Sequence, residues 1–147
     1  MRYFKWQSKD QLFLVEKFVG TFTPEFVELS DKYLLDYNKN LLELNLISDV
    51  SEAFFHSLNP LEAISIANKF LKSVPDKLQV KFMLVVGTEK RKDQSLIQLY
   101  AKQIEQDERV YFKTFNEMSS SFNWIKLDHE TTTEINEEIK QWNNQEL

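Results

Sequence analysis

The amino-acid sequence predicts an α/β sandwich: a mixed five-stranded sheet opened by a β-hairpin, helices packed on the sheet, and an amphipathic helix at the C-terminus. Two strand-like segments, residues 2–7 and 12–19, flank the polar stretch 8–10, which is typical of a hairpin. Strand-like and helical segments then alternate, which favours helices packed on parallel strands. Residues 80–86 are almost continuously apolar, as expected of a strand covered on both faces.

The segment after the second strand begins with helix signals. Gly20 ends the strand, and Thr23 and Pro24 are residue types that favour an N-cap and a first helical position. Apolar residues then recur at helical spacing, namely Phe26, Leu29, Tyr33 and Tyr37. A third strand is predicted over residues 41–47, where leucines alternate with polar residues. Residues 48–58 have no clear period, so the sequence leaves open whether they form a helix or a loop.

The clearest helix start in the chain is at Asn59. Asn59 can cap the helix, Pro60 suits its first position, and Glu62 can accept a hydrogen bond from the Asn59 N–H, which together make a capping box. Pro75 blocks continuation of the helix. The predicted buried face consists of Ile64, Ala67 and Leu71.

Four further elements complete the prediction after the strand at 80–86. Residues 96–104 have helical spacing, and residues 110–115 read as a fifth strand. Asn116 is predicted to cap a short helix with Met118, Phe122 and Ile125 on one face. A last helix has the apolar stripe Ile135, Ile139 and Trp142.

The fifth strand and the helix after it resemble the C-terminal signature of the SpoIIAA-like family of the STAS superfamily. In that signature a strand ends in phenylalanine, and a short helix closes with tryptophan. Phe115 and Trp124 stand at the matching separation, and Ser121 stands where the family usually has alanine. The strand at residues 82–87 and the glycine–threonine turn at residues 20–25 are also similar to family segments.

The resemblance covers residues 1–126, which we expect to form a STAS-like α/β domain, with residues 127–147 as an acidic C-terminal helical extension. It implies a module without cofactor or catalysis of its own, which regulates by binding a protein partner or a small apolar, lipid-like ligand. In one branch of the superfamily, the anti-anti-sigma factors, a serine is phosphorylated near the start of the helix after the third strand. Ser57 is the nearest serine here, although the glycine of the family segment is absent.

Composition and charge exclude several function classes. The 147-residue chain has no cysteine, two glycines and two histidines. These counts exclude a thiolate metal site and a glycine-rich nucleotide fingerprint, and we expect no metal.

The net charge is −5, and the whole acidic excess falls in residues 127–147. Because phosphate contacts need a basic face, we expect no nucleic-acid binding. There is no run of about 18 apolar residues and no signal segment, so we expect a cytoplasmic protein without a membrane span.

The main candidate binding site lies in the unassigned stretch after the third strand. Phe54, Phe55 and Leu58 form an apolar binding surface or line a ligand pocket if they are accessible, and belong to the core if they are buried. Asp49 and Ser57 lie in the same stretch, near the edge where open α/β sheets bind ligands. These five residues are the predicted ligand-binding or partner-binding site.

Three alternatives remain open from the sequence. A small serine hydrolase would use Ser57, His56 and Asp49, which requires hydrogen bonds from serine to histidine and from histidine to aspartate. The basic segment 90–92 is either a solvated loop or a contact point for an anion. The stripe of Ile135, Ile139 and Trp142 docks on its own domain, or instead binds a protein partner or a second copy of the chain.

Overall fold

The computed structural model describes residues 1–25 and 40–145 of the chain, which form a five-stranded mixed sheet and four helices. The strands are β1 (Arg2–Gln7), β2 (Phe13–Thr21), β3 (Glu43–Phe54), β4 (Gln79–Val85) and β5 (Val110–Phe115). The helices are α1 (Pro60–Ser73), α2 (Gln94–Glu105), α3 (Met118–Trp124) and α4 (His129–Asn144).

The strands lie side by side in chain order, from β1 to β5. β1 runs antiparallel to β2, and the other neighbouring pairs are parallel, which confirms the predicted mixed sheet opened by a hairpin. In the hairpin turn, the Asp10 carboxylate accepts hydrogen bonds from the Ser8 hydroxyl at 2.6 Å and the Leu12 N–H at 3.0 Å. Because β2 to β5 run in one direction, their carboxyl ends share one edge of the sheet.

Apolar residues fill both faces of the sheet. The front core packs the sheet against α1 and α2, and its members include Leu46, Phe70, Phe82 and Ile97. The back core packs the sheet against α3 and α4, and its members include Ile47, Met83, Phe122, Ile135 and Trp142. β4 contributes to both cores, as the apolar run at residues 80–86 predicted.

The helix starts agree with the sequence in part. The capping box of α1 is present, with the Asn59 side chain accepting from the Glu62 N–H at 2.8 Å and Glu62 accepting from the Asn59 N–H at 3.1 Å. Pro24 and Glu25 are helical as predicted. The remaining positions predicted for that helix, Phe26, Leu29, Tyr33 and Tyr37, lie outside the described residues.

Three predictions need correction. β3 continues to Phe54, well beyond the predicted end at residue 47, because the later residues Val50 and Ala53 are buried and the strand continues to pair with β2. The N-cap of α3 is Glu117, which has the extended backbone of a cap, so the prediction of Asn116 is wrong by one position. The predicted buried face of α1 is right at Ala67 only: Ile64 and Leu71 are half-buried, and the buried residues are Ala63, Ala67 and Phe70.

Candidate functional site

The front core contains an apolar cavity of ≈ 90 Å³ between the sheet and helices α1 and α2. Strand residues Leu46, Phe82 and Leu84 line it from the sheet, and Ala63 and Phe70 line it from α1. On the α2 side the lining residues Leu96 and Tyr100 are only half-buried, so the cavity approaches the surface there. We call this space the front cavity.

The volume of the front cavity limits what it can hold. One water molecule has a share of about 30 Å³ in the liquid, and an engineered cavity of about 150 Å³ in another protein binds benzene. At ≈ 90 Å³ the front cavity is smaller than that engineered cavity, so it suits a compound of roughly five non-hydrogen atoms or fewer.

Glu16 and Ser48 form the polar end of the front cavity. They face each other in the parallel pairing of β2 and β3, and both side chains line the cavity. Glu16 is 6% exposed. Among the described residues that line the cavity, it is the one with a charged side chain. The Ser48 hydroxyl donates a short hydrogen bond to Glu16 Oε1, and the Tyr3 hydroxyl donates to Glu16 Oε2 at 2.8 Å.

The neighbouring charge on β2 faces the opposite core. Side chains alternate along a strand, so Lys17 points to the back of the sheet when Glu16 points to the front. The Lys17 ammonium forms an ion pair with Glu52 on β3 and donates a hydrogen bond to Asn143 on α4 at 3.0 Å. Both charges inside β2 are therefore held by polar partners, as buried charges require.

Phe55 closes the front cavity beyond the end of β3. Its ring packs against Phe22 with the centroids 5.0 Å apart, and the Arg91 guanidinium lies 5.7 Å from the Phe55 centroid. The Phe55 N–H donates to the Asp93 carboxylate at 3.0 Å. This contact fixes the backbone where the chain leaves the sheet and turns towards α1.

Arg91 holds that turn to the sheet. Its guanidinium donates to the carbonyls of Val50 at 2.9 Å and Val86 at 3.1 Å, and also to the carbonyl of Ala53. It also pairs with Asp93 at 2.8 Å, with both side chains almost fully buried. Burial works to raise the pKa of Asp93, but the hydrogen bonds from Arg91 and from the Phe55 N–H bring that pKa below its ordinary value.

The structure divides the predicted binding site between two places. Phe55 and Leu58 line the front cavity. Asp49 and Phe54 instead line an open groove at the carboxyl edge of the sheet, which we call the edge groove. The Phe54 side chain is 54% exposed there. Ser57 is not among the described lining residues of either space. Its hydroxyl donates to the Phe22 carbonyl at 2.8 Å.

The edge groove has charges of both signs. Asp49 accepts from the Ser51 N–H at 2.9 Å and from the Ser51 hydroxyl at 2.6 Å. Of the basic segment predicted to contact an anion, Lys90 and Lys92 are exposed, whereas the Arg91 side chain is bound within the fold. This mixture does not single out one ligand charge.

The residues of the hydrolase alternative are not joined by hydrogen bonds in the described part of the chain. The Ser57 hydroxyl bonds to a backbone carbonyl, and Asp49 bonds to Ser51. The His56 ring lies beside Phe54 with the centroids 6.3 Å apart. Within residues 1–25 and 40–145 there is also no group of three or more acidic or histidine side chains that could hold a metal ion.

The C-terminal stripe is part of the chain's own back core. Ile135 and Trp142 are buried, and the half-buried Ile139 packs beside them. The Trp142 ring stacks on Phe4 of β1 with the centroids 5.7 Å apart. Of the two alternatives for this stripe, the structure shows docking on the chain's own sheet, so these side chains do not form a free surface for a partner.

Sequence reasoning missed Tyr3, Glu16 and Ser48 as residues of a candidate site. A signal was present, because Glu16 and Lys17 are adjacent charges inside an apolar strand segment. Such charges need buried partners if the strand is covered on both faces.

Comparison with known proteins adds no family: no protein-family model matches the chain, and no curated protein gives a significant match. In the described residues no helix has the length and apolar character needed to cross a membrane.

Proposed function

We propose that this chain is a non-enzymatic binding module with a STAS-like fold, and that it takes a small, mainly apolar ligand in the front cavity. The observation that carries the proposal is the cavity itself. Protein interiors are packed about as densely as organic crystals and leave few voids larger than a water molecule. At about 24 cal/mol per Å³, an unfilled space of ≈ 90 Å³ lowers stability by about 2 kcal/mol relative to a filled one. A ligand that fills the space supplies the van der Waals contacts that the lining side chains otherwise lack.

The lining supports an apolar ligand with one polar group. Among the described lining residues most are aromatic or aliphatic, including Phe18, Phe22 and Phe82. The polar pair of Glu16 and Ser48 lies at one end, an arrangement common in ligand pockets, where a few polar groups fix the orientation of an apolar body.

The fold supports a STAS-like assignment through the segment that carries the resemblance. Phe115 at the end of β5 contacts Trp124 at the end of α3, with the ring centroids 5.7 Å apart. These are the two residues of the signature, and their contact joins the strand to its helix. The buried Ser121 suits a position where the family usually has alanine.

A panel of small compounds tests the proposed function. We would measure the melting temperature of the full chain with hydrocarbons, alcohols, ketones and amines of about five non-hydrogen atoms, matching the cavity volume. The matched control is Ala63→Leu, which places a larger side chain into the cavity wall. A ligand at 100 times its Kd stabilises by about 2.7 kcal/mol, which is a shift of several degrees. We expect at least one class of compound to stabilise the wild-type chain and not the variant. Equal shifts in both proteins for every compound would refute the proposal.

Protein binding at the edge groove is a second candidate function. The exposed Phe54 offers an apolar contact there, and the exposed Lys90 and Lys92 lie nearby in the same groove. Exposed large apolar side chains in a groove frequently mark a binding surface. Phe54→Ser tests this function: it should abolish capture of a partner that the wild-type chain retains, with an unchanged melting temperature. A partner retained equally by both proteins would exclude Phe54 as the contact.

A further inference from the structure

We propose that β5 pairs with the β5 strand of a second copy of the chain, so that the two sheets join across a two-fold axis. The pairing is antiparallel and is centred on Phe112, which places Tyr111 of each copy opposite Lys113 of the other. This inference goes beyond the proposed function and does not depend on the front cavity.

β5 is an edge strand whose outer backbone groups can accept a further strand. It pairs with β4 on one side, and no described strand lies on its other side. The carbonyls of Arg109 and Phe115, at the two ends of β5, accept hydrogen bonds from β4 at 2.9 Å and 2.8 Å. Backbone groups alternate in direction along a strand, so the odd-numbered residues bond to β4 and the even-numbered ones point outwards. The outer edge therefore presents the N–H and C=O groups of Phe112 and Thr114 and the carbonyl of Val110, a template for pairing.

The alternation of the backbone groups and the charge of Lys113 restrict the register of self-pairing. An axis between two residues would place an outward residue opposite an inward one, so the axis passes through a residue. An axis at residue 112 or 113 pairs five residues of each strand, 110–114 or 111–115, whereas an axis at 111 or 114 pairs only three. An axis at Lys113 places two ammonium groups directly opposite each other, which is unfavourable. The axis at Phe112 is therefore the favoured one.

The side chains that meet in this register complement each other. Tyr111 is 68% exposed, and its ring stacks on Trp124 with the centroids 5.5 Å apart. The exposed Lys113 ammonium lies 5.4 Å from the Phe115 centroid and 5.6 Å from the Trp124 centroid. Both side chains thus project from the back of the sheet, where each Lys113 gains the Tyr111 ring of the other copy as a further aromatic neighbour. The two-fold axis repeats this contact, and the reciprocal fit favours a second copy over an unrelated strand.

Sedimentation velocity of the full chain, from low micromolar to millimolar concentration, tests for the dimer. We expect the mass in solution to rise from that of one chain towards that of two. Thr114→Pro removes an outward N–H, which a proline can lack on an edge strand, and should abolish the dimer. The matched control Thr114→Val keeps that N–H and the size of the side chain, and it should dimerise like the wild type. The melting temperature reports whether each variant is folded.

Two variants at Tyr111 test the register. Tyr111→Lys places a lysine opposite Lys113 of the second copy, and Tyr111→Glu places a carboxylate there. Both remove the same ring from the same exposed position, so each is the control for the other. Every such contact occurs twice, so we expect the dimer of Tyr111→Glu to be about tenfold tighter than that of Tyr111→Lys, or more. The difference should shrink at high salt, because exposed charges are screened.

The outcomes decide the inference without bearing on the front cavity. A wild-type chain that remains monomeric at every concentration would overturn it and leave the proposed function unchanged. A dimer that persists in a folded Thr114→Pro chain would place the interface away from the outer edge of β5. Equal dissociation constants for the two Tyr111 variants would show that Tyr111 does not lie opposite Lys113, and would also overturn the inference. That second comparison remains decisive if Thr114→Pro does not fold.

Discussion

Filling the front cavity from within the chain should stabilise the protein. Ala63 on α1 is 4% exposed and lines the cavity, so Ala63→Leu directs three further carbon atoms into that region. The stability recovered is limited to about 2 kcal/mol, from ≈ 90 Å³ at about 24 cal/mol per Å³. The added side chain adjusts imperfectly to its neighbours, so we expect a net gain of about 1 kcal/mol.

The same helix provides a matched control for this substitution. Ala67 lies one turn further along α1, is 0% exposed and belongs to the front core, but it is not part of the described cavity lining. Ala67→Leu therefore introduces the same atoms into a packed site and should destabilise by about 1–3 kcal/mol.

Urea denaturation of both variants measures the difference in the free energy of unfolding, and an unchanged m-value shows that the transition is comparable. A gain of about 1 kcal/mol corresponds to a rise in melting temperature of about 2–4 °C for a chain of this size. If Ala63→Leu destabilises the protein as much as Ala67→Leu, the space beside Ala63 is already filled, and the reasoning from the cavity fails.

Two other predictions follow from the contacts around the site and at α4. Trp142→Ala should lower the free energy of unfolding by about 3–5 kcal/mol, because it opens a cavity in the back core; a loss below about 1 kcal/mol in denaturant titration would show that α4 does not depend on this contact. The pKa of Asp93 is lowered in the folded state. The ionised Asp93 carboxylate therefore stabilises the fold fully above its unfolded pKa of about 3.9, and this stabilisation is lost as the pH falls through the folded pKa. Asp93→Asn should therefore be less stable at neutral pH and show a shallower loss of stability below about pH 4, and parallel acid profiles would contradict this.

The architecture was predictable where local signals agreed with tertiary packing. The capping box at Asn59 formed as predicted because its hydrogen bonds lie within four consecutive residues. The fifth strand has the predicted bounds, and β4 is buried on both faces as its apolar run indicated. In these cases the sequence neighbours that carry the signal are also the structural partners.

The candidate site was only partly predictable because its determinants are contacts between strands. The second half of β3 reads as irregular, since Ser48, Asp49 and Ser51 interrupt its apolar residues. Their polar groups find partners on the strand or across the sheet, such as Glu16 for Ser48. That pairing joins residues 32 positions apart in the chain, so it depends on how β2 and β3 align and not on sequence neighbours.

Phe54 and Phe55 show the same limit of prediction from sequence at two adjacent residues. The sequence treats the pair as a unit, either exposed or buried. β3 ends at Phe54, and consecutive residues at a strand end face opposite ways, so Phe54 points to the edge groove and Phe55 to the front cavity. Phe54 is exposed and Phe55 lines the cavity. The prediction that both residues are exposed and the prediction that both are buried are therefore each wrong for one of them.

The most direct test of ligand binding in the front cavity is the response of the methyl resonances to xenon, which enters accessible apolar cavities without needing a polar partner. We predict that xenon shifts the resonances of Leu46, Leu84 and Ile97 in the cavity wall and leaves those of Val15 and Ile135 in the back core unchanged. We also predict that Ala63→Leu removes the response. Equal or absent shifts in the two cores would contradict the account, because they would show that the front cavity is not an accessible apolar site.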